Sequence, residues 1–231
     1  MNRQPYAAPT AAILAGVVLL HLCGGGVARA DECPDADARL AFVRERLAKD
    51  AHDARRWMWE WTIAYGGLAL GQAGLALLRD DEGEQVELYV GAAKSLLGLI
   101  PVLGLQVPAL RDSGRLEARV ASARPDEQCA VVAEAERMLD ASAGDEAFNR
   151  GFLAHAGNVL VNGGGLLIIG LGYDRWVTGA LGTAVGIAVG ELQIFTRPTA
   201  SLRGQGEYRA RWLVAPVVTG ESAGVQLVGT F

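Results

Sequence analysis

Residues 182–190 read GTAVGIAVG, with glycine at 182, 186 and 190 and no charge before Glu191. In the interior of a water-soluble helix each glycine costs about 1 kcal/mol relative to alanine, so three together need a compensating gain. Spacing by four sets Gly182, Gly186 and Gly190 on one narrow stripe of a helix. A stripe without side chains lets a second backbone approach, and this matters most in lipid. There the hydrophobic effect does not drive helix to helix, and close packing of small residues takes over. The stretch therefore predicts a glycine-zipper packing surface on a membrane helix, with Gly67 and Gly71 forming a shorter version earlier in the chain.

Working outward, this stretch belongs to one of four apolar segments, at 57–78, 88–110, 152–172 and 176–195. Each reaches the roughly 20 residues a helix needs to cross a hydrocarbon core. A charged turn at 79–84 joins the first two and a very short turn at 172–175 joins the last two, predicting two antiparallel helical hairpins. Pro101 predicts a kink in the second segment, while Pro108 and Pro198 mark helix ends. None of the segments is strongly hydrophobic, and buried helices of a water-soluble bundle would read similarly.

Ahead of the first segment, Leu40, Val43, Leu47, Ala51 and Ala54 recur at spacings of three and four. Arg39, Arg44, Glu45, Lys49 and Asp50 fall mostly off that stripe, so 34–56 reads as an amphipathic helix. It runs into Trp57, Trp59 and Trp61, residues suited to a membrane interface because indole pairs an apolar body with a polar N–H.

The same order recurs from Pro125. Pro34-Asp35 matches Pro125-Asp126, Glu45-Arg46-Leu47 matches Glu136-Arg137-Met138, and Trp57 and Trp61 match Phe148 and Phe152. After a gap, Gly67, Gln72 and Gly74 match Gly157, Asn162 and Gly164. The alternative is that Gly-rich apolar runs resemble one another by composition. The duplication predicts a mainly α fold of two units, each an amphipathic helix plus an apolar hairpin, with about four membrane-spanning helices. The expected divisions are a signal peptide at 1–30, units at 31–111 and 112–202, and a tail at 203–231. In that tail two β-branched-rich runs flank the turn at 220–224 and predict a short β hairpin, with Pro216 at an edge or bulge.

Arg3, the apolar run 11–20 and Ala28-Arg29-Ala30 have the form of a secretory signal, with cleavage expected before Asp31. Its removal takes Cys23 and leaves Cys33 and Cys129, a pair that an oxidising compartment favours as a disulfide; two unrelated thiols are the alternative. A net charge of -5 argues against nucleic acid as a partner.

No motif carries a reaction. Gly220-Glu221-Ser222-Ala223-Gly224 fits the nucleophile-elbow pattern, but no histidine or aspartate follows it. Metal and nucleotide motifs are missing from the sequence, and the acidic run at 80–84 reads as a solvated turn. We therefore expect no catalytic residue, metal or cofactor. The polar residues inside the apolar segments are the functional candidates: Lys94 with Glu191 as a pair, and His155, Asn158 and Asn162 along one helix face.

These readings point to a bacterial envelope membrane protein with a structural or scaffolding role, whose partners are membrane lipid and either itself or other envelope proteins. A small transporter or channel with a polar seam is the alternative. The expected place is the inner membrane with exported termini. Arg111, Arg115, Arg119, Arg124, Arg137 and Arg150 would then lie on the exported side, against the positive-inside bias. That conflict keeps open an outer-membrane barrel closing at Phe231, or an exported soluble bundle.

Overall fold

Apolar residues three and four apart from Val43 to Ala76 give one uninterrupted helix of 41 residues, α1 (Ala36–Ala76). At 1.5 Å per residue it is about 60 Å long, roughly twice the thickness of a bilayer core. Its buried stripe runs through Val43, Leu47, Ala51 and Ala54 and then Trp57, Trp61, Tyr65 and Ala69. Asp50 lies on this stripe and is fully buried, in contrast to the off-stripe position expected for it.

The computed structural model describes residues 33–103, 108–219 and 222–227. The expected signal peptide at 1–30, the chain end at Phe231 and the first two turn residues, Gly220 and Glu221, lie outside those residues. After α1 come α2 (Glu82–Leu103), α3 (Pro108–Ser122), a short 3-10 turn (Pro125–Glu127), α4 (Gln128–Phe148), α5 (Phe152–Tyr173), α6 (Trp176–Phe195) and α7 (Ala200–Tyr208). A π turn (Arg209–Leu213) leads into two strands, β1 (Val214–Thr219) and β2 (Ser222–Leu227), paired antiparallel from Val214↔Leu227 to Thr219↔Ser222.

The protein is mainly helical, and three helical stretches are long and apolar enough to cross a membrane: Glu82–Leu103, Pro125–Tyr173 and Trp176–Trp212. They correspond to three of the four expected segments. The run at 57–78 does not qualify, because α1 ends at Ala76, before Leu77 and Leu78, and its last turns carry Glu60 and Gln72.

α1 packs along α2, and α5 along α6, so the two hairpins form as the turn spacing predicts; α2 meets α5 between them. At one end α1, α3, α4 and α7 assemble a helical head around Val43, Leu47, Leu116, Val131, Ala135, Leu139 and Tyr208. Arg39, Glu136 and Tyr208 tie three head helices together: Arg39 Nε donates to the Tyr208 hydroxyl at 2.7 Å and to Glu136 at 3.0 Å, and Tyr208 donates to the same carboxylate. Burial, with the adjacent Glu136 carboxylate, pushes the Tyr208 phenol up to about 12. Cys33 and Cys129, beside the starts of α1 and α4, form a disulfide with their Cα atoms 5.5 Å apart. At the opposite end Arg175 in the α5–α6 turn bonds Glu87 (2.7 Å) and Asp81 (3.1 Å), so the two hairpin turns meet.

Burial in the head repeats along the chain. Val43, Leu47, Asp50, Ala51, Ala54 and Trp57 are buried, and so are the residues 92 positions later: Ala135, Leu139, Ser142, Ala143, Glu146 and Asn149. The same shift aligns 110–119 in α3 with 202–211 across α7. Five of those ten positions are identical: Leu110/Leu202, Arg111/Arg203, Gly114/Gly206, Ala118/Ala210 and Arg119/Arg211. Leu116 and Tyr208, also a pair in this register, both enter the head core.

Candidate functional site

Asn158 and Asn162 occupy successive turns of α5 where alanine would serve helix propensity better, and both face α6. Asn158 Nδ2 donates to the Ile187 carbonyl at 2.9 Å and to Glu191 Oε1 at 3.0 Å. Asn162 Nδ2 donates back to the Asn158 carbonyl at 3.0 Å. His155 Nδ1 and Glu191 Oε2 lie 2.6 Å apart. His155, Asn158, Asn162 and Glu191 thus form one hydrogen-bonded ladder between α5 and α6.

Gly186 and Gly190 make room for that ladder. A Cβ at Gly186 would overlap Asn162 Oδ1, and one at Gly190 would overlap the Asn158 carboxamide. The first hairpin repeats the device: Gly91 of α2 faces the Gln72 carboxamide of α1, and Gly98 faces the Tyr65 ring. Gly67, Gly71 and Gly182 differ from the expectation. Nothing lies within 4 Å of where their Cβ would sit. The stripe at 182–190 therefore packs at its last two glycines and is open at its first.

The tryptophans divide in the same way. Trp59 is exposed, whereas Trp57 and Trp61 are buried beside Val102 and donate their indole N–H to Thr196 Oγ1 at 3.3 and 3.0 Å. They pin α1 to the end of α6 and do not form the outward-facing belt their clustering suggested.

Between the hairpins lies a cleft of about 1070 Å³ lined by Tyr65, Gln72, Lys94, Asn158, Asn162 and Gln193 among others. Tyr65 donates to Gln193 Oε1 at 3.1 Å, and Gln193 Nε2 donates to the Gly98 carbonyl at 3.2 Å, bracing α1, α6 and α2. Lys94 Nζ bonds the Gly182 carbonyl at 3.4 Å. The Lys94–Glu191 pair does not form. Gly182, the α6 partner of Lys94, is nine residues before Glu191, about 13 Å along a helix, and both Glu191 oxygens are already engaged.

A second polar cluster, in the head, was not among the sequence candidates. Asp50 and Glu146 are buried side by side; Ser201 Oγ bonds Asp50 Oδ2 at 2.7 Å, and Glu146 accepts the backbone N–H groups of Ser201 (3.2 Å) and Leu202 (2.6 Å) at the start of α7. Burial and the neighbouring carboxyl push Glu146 up to about 8 and raise Asp50 as well, so the two share a proton near neutrality. Arg197 beside them is also buried, pairs with Asp145 at 3.3 Å and stacks over the Trp57 ring at 5.3 Å. The visible signal was an acid falling on the apolar stripe at Asp50. Its partners come from α4 and α7, beyond any local pattern.

Among the described residues no group of three or more histidine, cysteine, aspartate or glutamate side chains is placed to hold a metal. Comparison with protein-family models, with curated proteins and with solved structures finds no match to this chain.

Proposed function

We propose that this protein is an exported structural component of a bacterial envelope membrane, with two duplicated helical units whose hairpins sit in the bilayer and whose head engages other envelope proteins. The observation that carries the reading is the ladder of His155, Asn158, Asn162 and Glu191. These side chains bond one another and the α6 backbone, which fits a fastener between helices better than a path for solute.

Membrane insertion is supported by where the apolar side chains point. Leu70 (78% exposed), Leu160 (73%), Leu171 (73%) and Val177 (76%) face outward from the hairpins, a pattern a water-soluble bundle would reverse. The 92-residue register of burial, with the matched α3 and α7 sequences, supports duplication. The disulfide supports an oxidising compartment around the head. The inner membrane, with the head exported and the two hairpin turns cytoplasmic, is the arrangement we favour.

A second reading, a small transporter, draws on the cleft and Lys94. Full-length protein carrying Asn158→Val and Asn162→Val separates the two. A scaffold loses abundance and thermal stability, and the native protein in liposomes adds no solute flux over protein-free vesicles. Unchanged stability together with loss of a measurable native flux would replace the scaffold by the transporter.

A further inference from the structure

Every arginine on the wall of the cleft has an acidic partner: Arg79–Glu84 at 3.7 Å, Arg175–Glu87 at 2.7 Å and Arg197–Asp145 at 3.3 Å. Lys94, the remaining cation there, takes part in no ion pair among the described residues; its one bond is to the neutral Gly182 carbonyl. Its stem lies against Gly165, where an added Cβ would stand 3.0 Å from Lys94 Cδ, so the glycine leaves room for the stem. Lys94 stands near the middle of α2, far from either end where a long side chain could reach water. An ammonium has three donors and a full charge, and in a low-dielectric setting a charge without a counter-ion is costly.

In the cleft Leu68, Leu97, Val161, Leu181, Val185 and Val189 supply apolar wall beside the amides of Gln72, Asn158, Asn162 and Gln193. Its volume of about 1070 Å³ lies just above the usual range of sites that take small molecules. We propose that the cleft binds a long-chain fatty acid, its carboxylate on Lys94 Nζ and its alkyl chain along those apolar walls. A phospholipid fits less well, since its headgroup belongs at the bilayer surface and Lys94 does not. The inference rests on the membrane reading above and adds a ligand to it.

The test uses full-length protein in nanodiscs and radiolabelled palmitate, measured against empty nanodiscs. Saturable binding is expected, weaker by about tenfold or more in Lys94→Met and retained in Lys94→Arg. Hexadecanol, with the same chain and no charge, should compete at least about tenfold more weakly than unlabelled palmitate in the native protein. That comparison stands even if Lys94→Met does not fold. Absence of saturable binding, equal binding by a folded Lys94→Met, or equal competition by the alcohol overturns the proposal. Failure of the protein to enter nanodiscs would strike the membrane reading itself, a different outcome from entry without binding.

Discussion

Gly182, Gly186 and Gly190 are identical in sequence terms and unequal in the structure. An added methyl at 186 or 190 must displace an asparagine that is bonded to α6 or to its own helix, whereas at 182 it meets open space. Gly186→Ala and Gly190→Ala are each expected to destabilise the detergent-solubilised protein by about 1–3 kcal/mol, as overpacking does. Gly182→Ala should be within about 0.5 kcal/mol of neutral; thermal melting distinguishes them, and equal losses at all three would mean that another surface packs on Gly182. The buried carboxyls make a pH prediction. Glu146 has a folded value near 8 against 4.5 for the free side chain, so the folded state holds the extra proton. Its contribution is full below about 4.5 and is lost as pH rises toward about 8. Stability measured by denaturant titration should therefore fall across that window, and Glu146→Gln should flatten the slope.

At the scale of elements, the two helical paths from the head into a hairpin differ. α1 passes through as one helix, while the corresponding chain breaks at Asn149, Arg150 and Gly151 between α4 and α5. The break frees Arg150, whose Nη1 donates to the carbonyls of Ile194, Phe195 and Arg197 at 3.3, 2.9 and 3.1 Å and so closes the end of α6. One turn earlier Glu146 caps the first N–H groups of α7. The end of α4 thus fixes the corner between α6 and α7 from both sides. Arg150→Met should cost about 1–3 kcal/mol, in the range of hydrogen bonds to a charged group. Hydrogen exchange should quicken at 194–203 and stay unchanged in α3; uniform quickening would count against a local cap.

For the whole molecule, the disulfide spans 96 residues and joins the starts of α1 and α4. By chain entropy a loop of that size contributes between about 2 and 5 kcal/mol, so the double variant Cys33→Ser, Cys129→Ser should melt well below the native protein, as should protein held in reductant. The meeting of Arg175 with Asp81 and Glu87 places both hairpin turns at one end. Single cysteines introduced at Asp80 and at Asp174 should therefore react with an impermeant thiol reagent from the same side of the membrane. Labelling from opposite sides would exclude paired hairpins of common orientation.

The amphipathic first helix, the long apolar helices and their pairing into hairpins were legible in the sequence because they depend on local spacing, apolar residues three and four apart and turns too short for anything but antiparallel neighbours. By contrast α3 and α7 were not expected, and α2 ends at Leu103, short of the segment set at 88–110. The alignment of 34 with 125 stands one residue away from the register that burial follows, since matching letters cannot reveal which side of a helix is covered. Which glycines touch a neighbour, why Glu191 bonds His155 and leaves Lys94 without an acid, and how Asp50 comes to lie beside Glu146 depend on contacts between distant segments. The sequence by itself determined the apolar helices and their order; only the tertiary structure decided which face of each helix is covered, because that depends on rotations and axial offsets that no local pattern encodes.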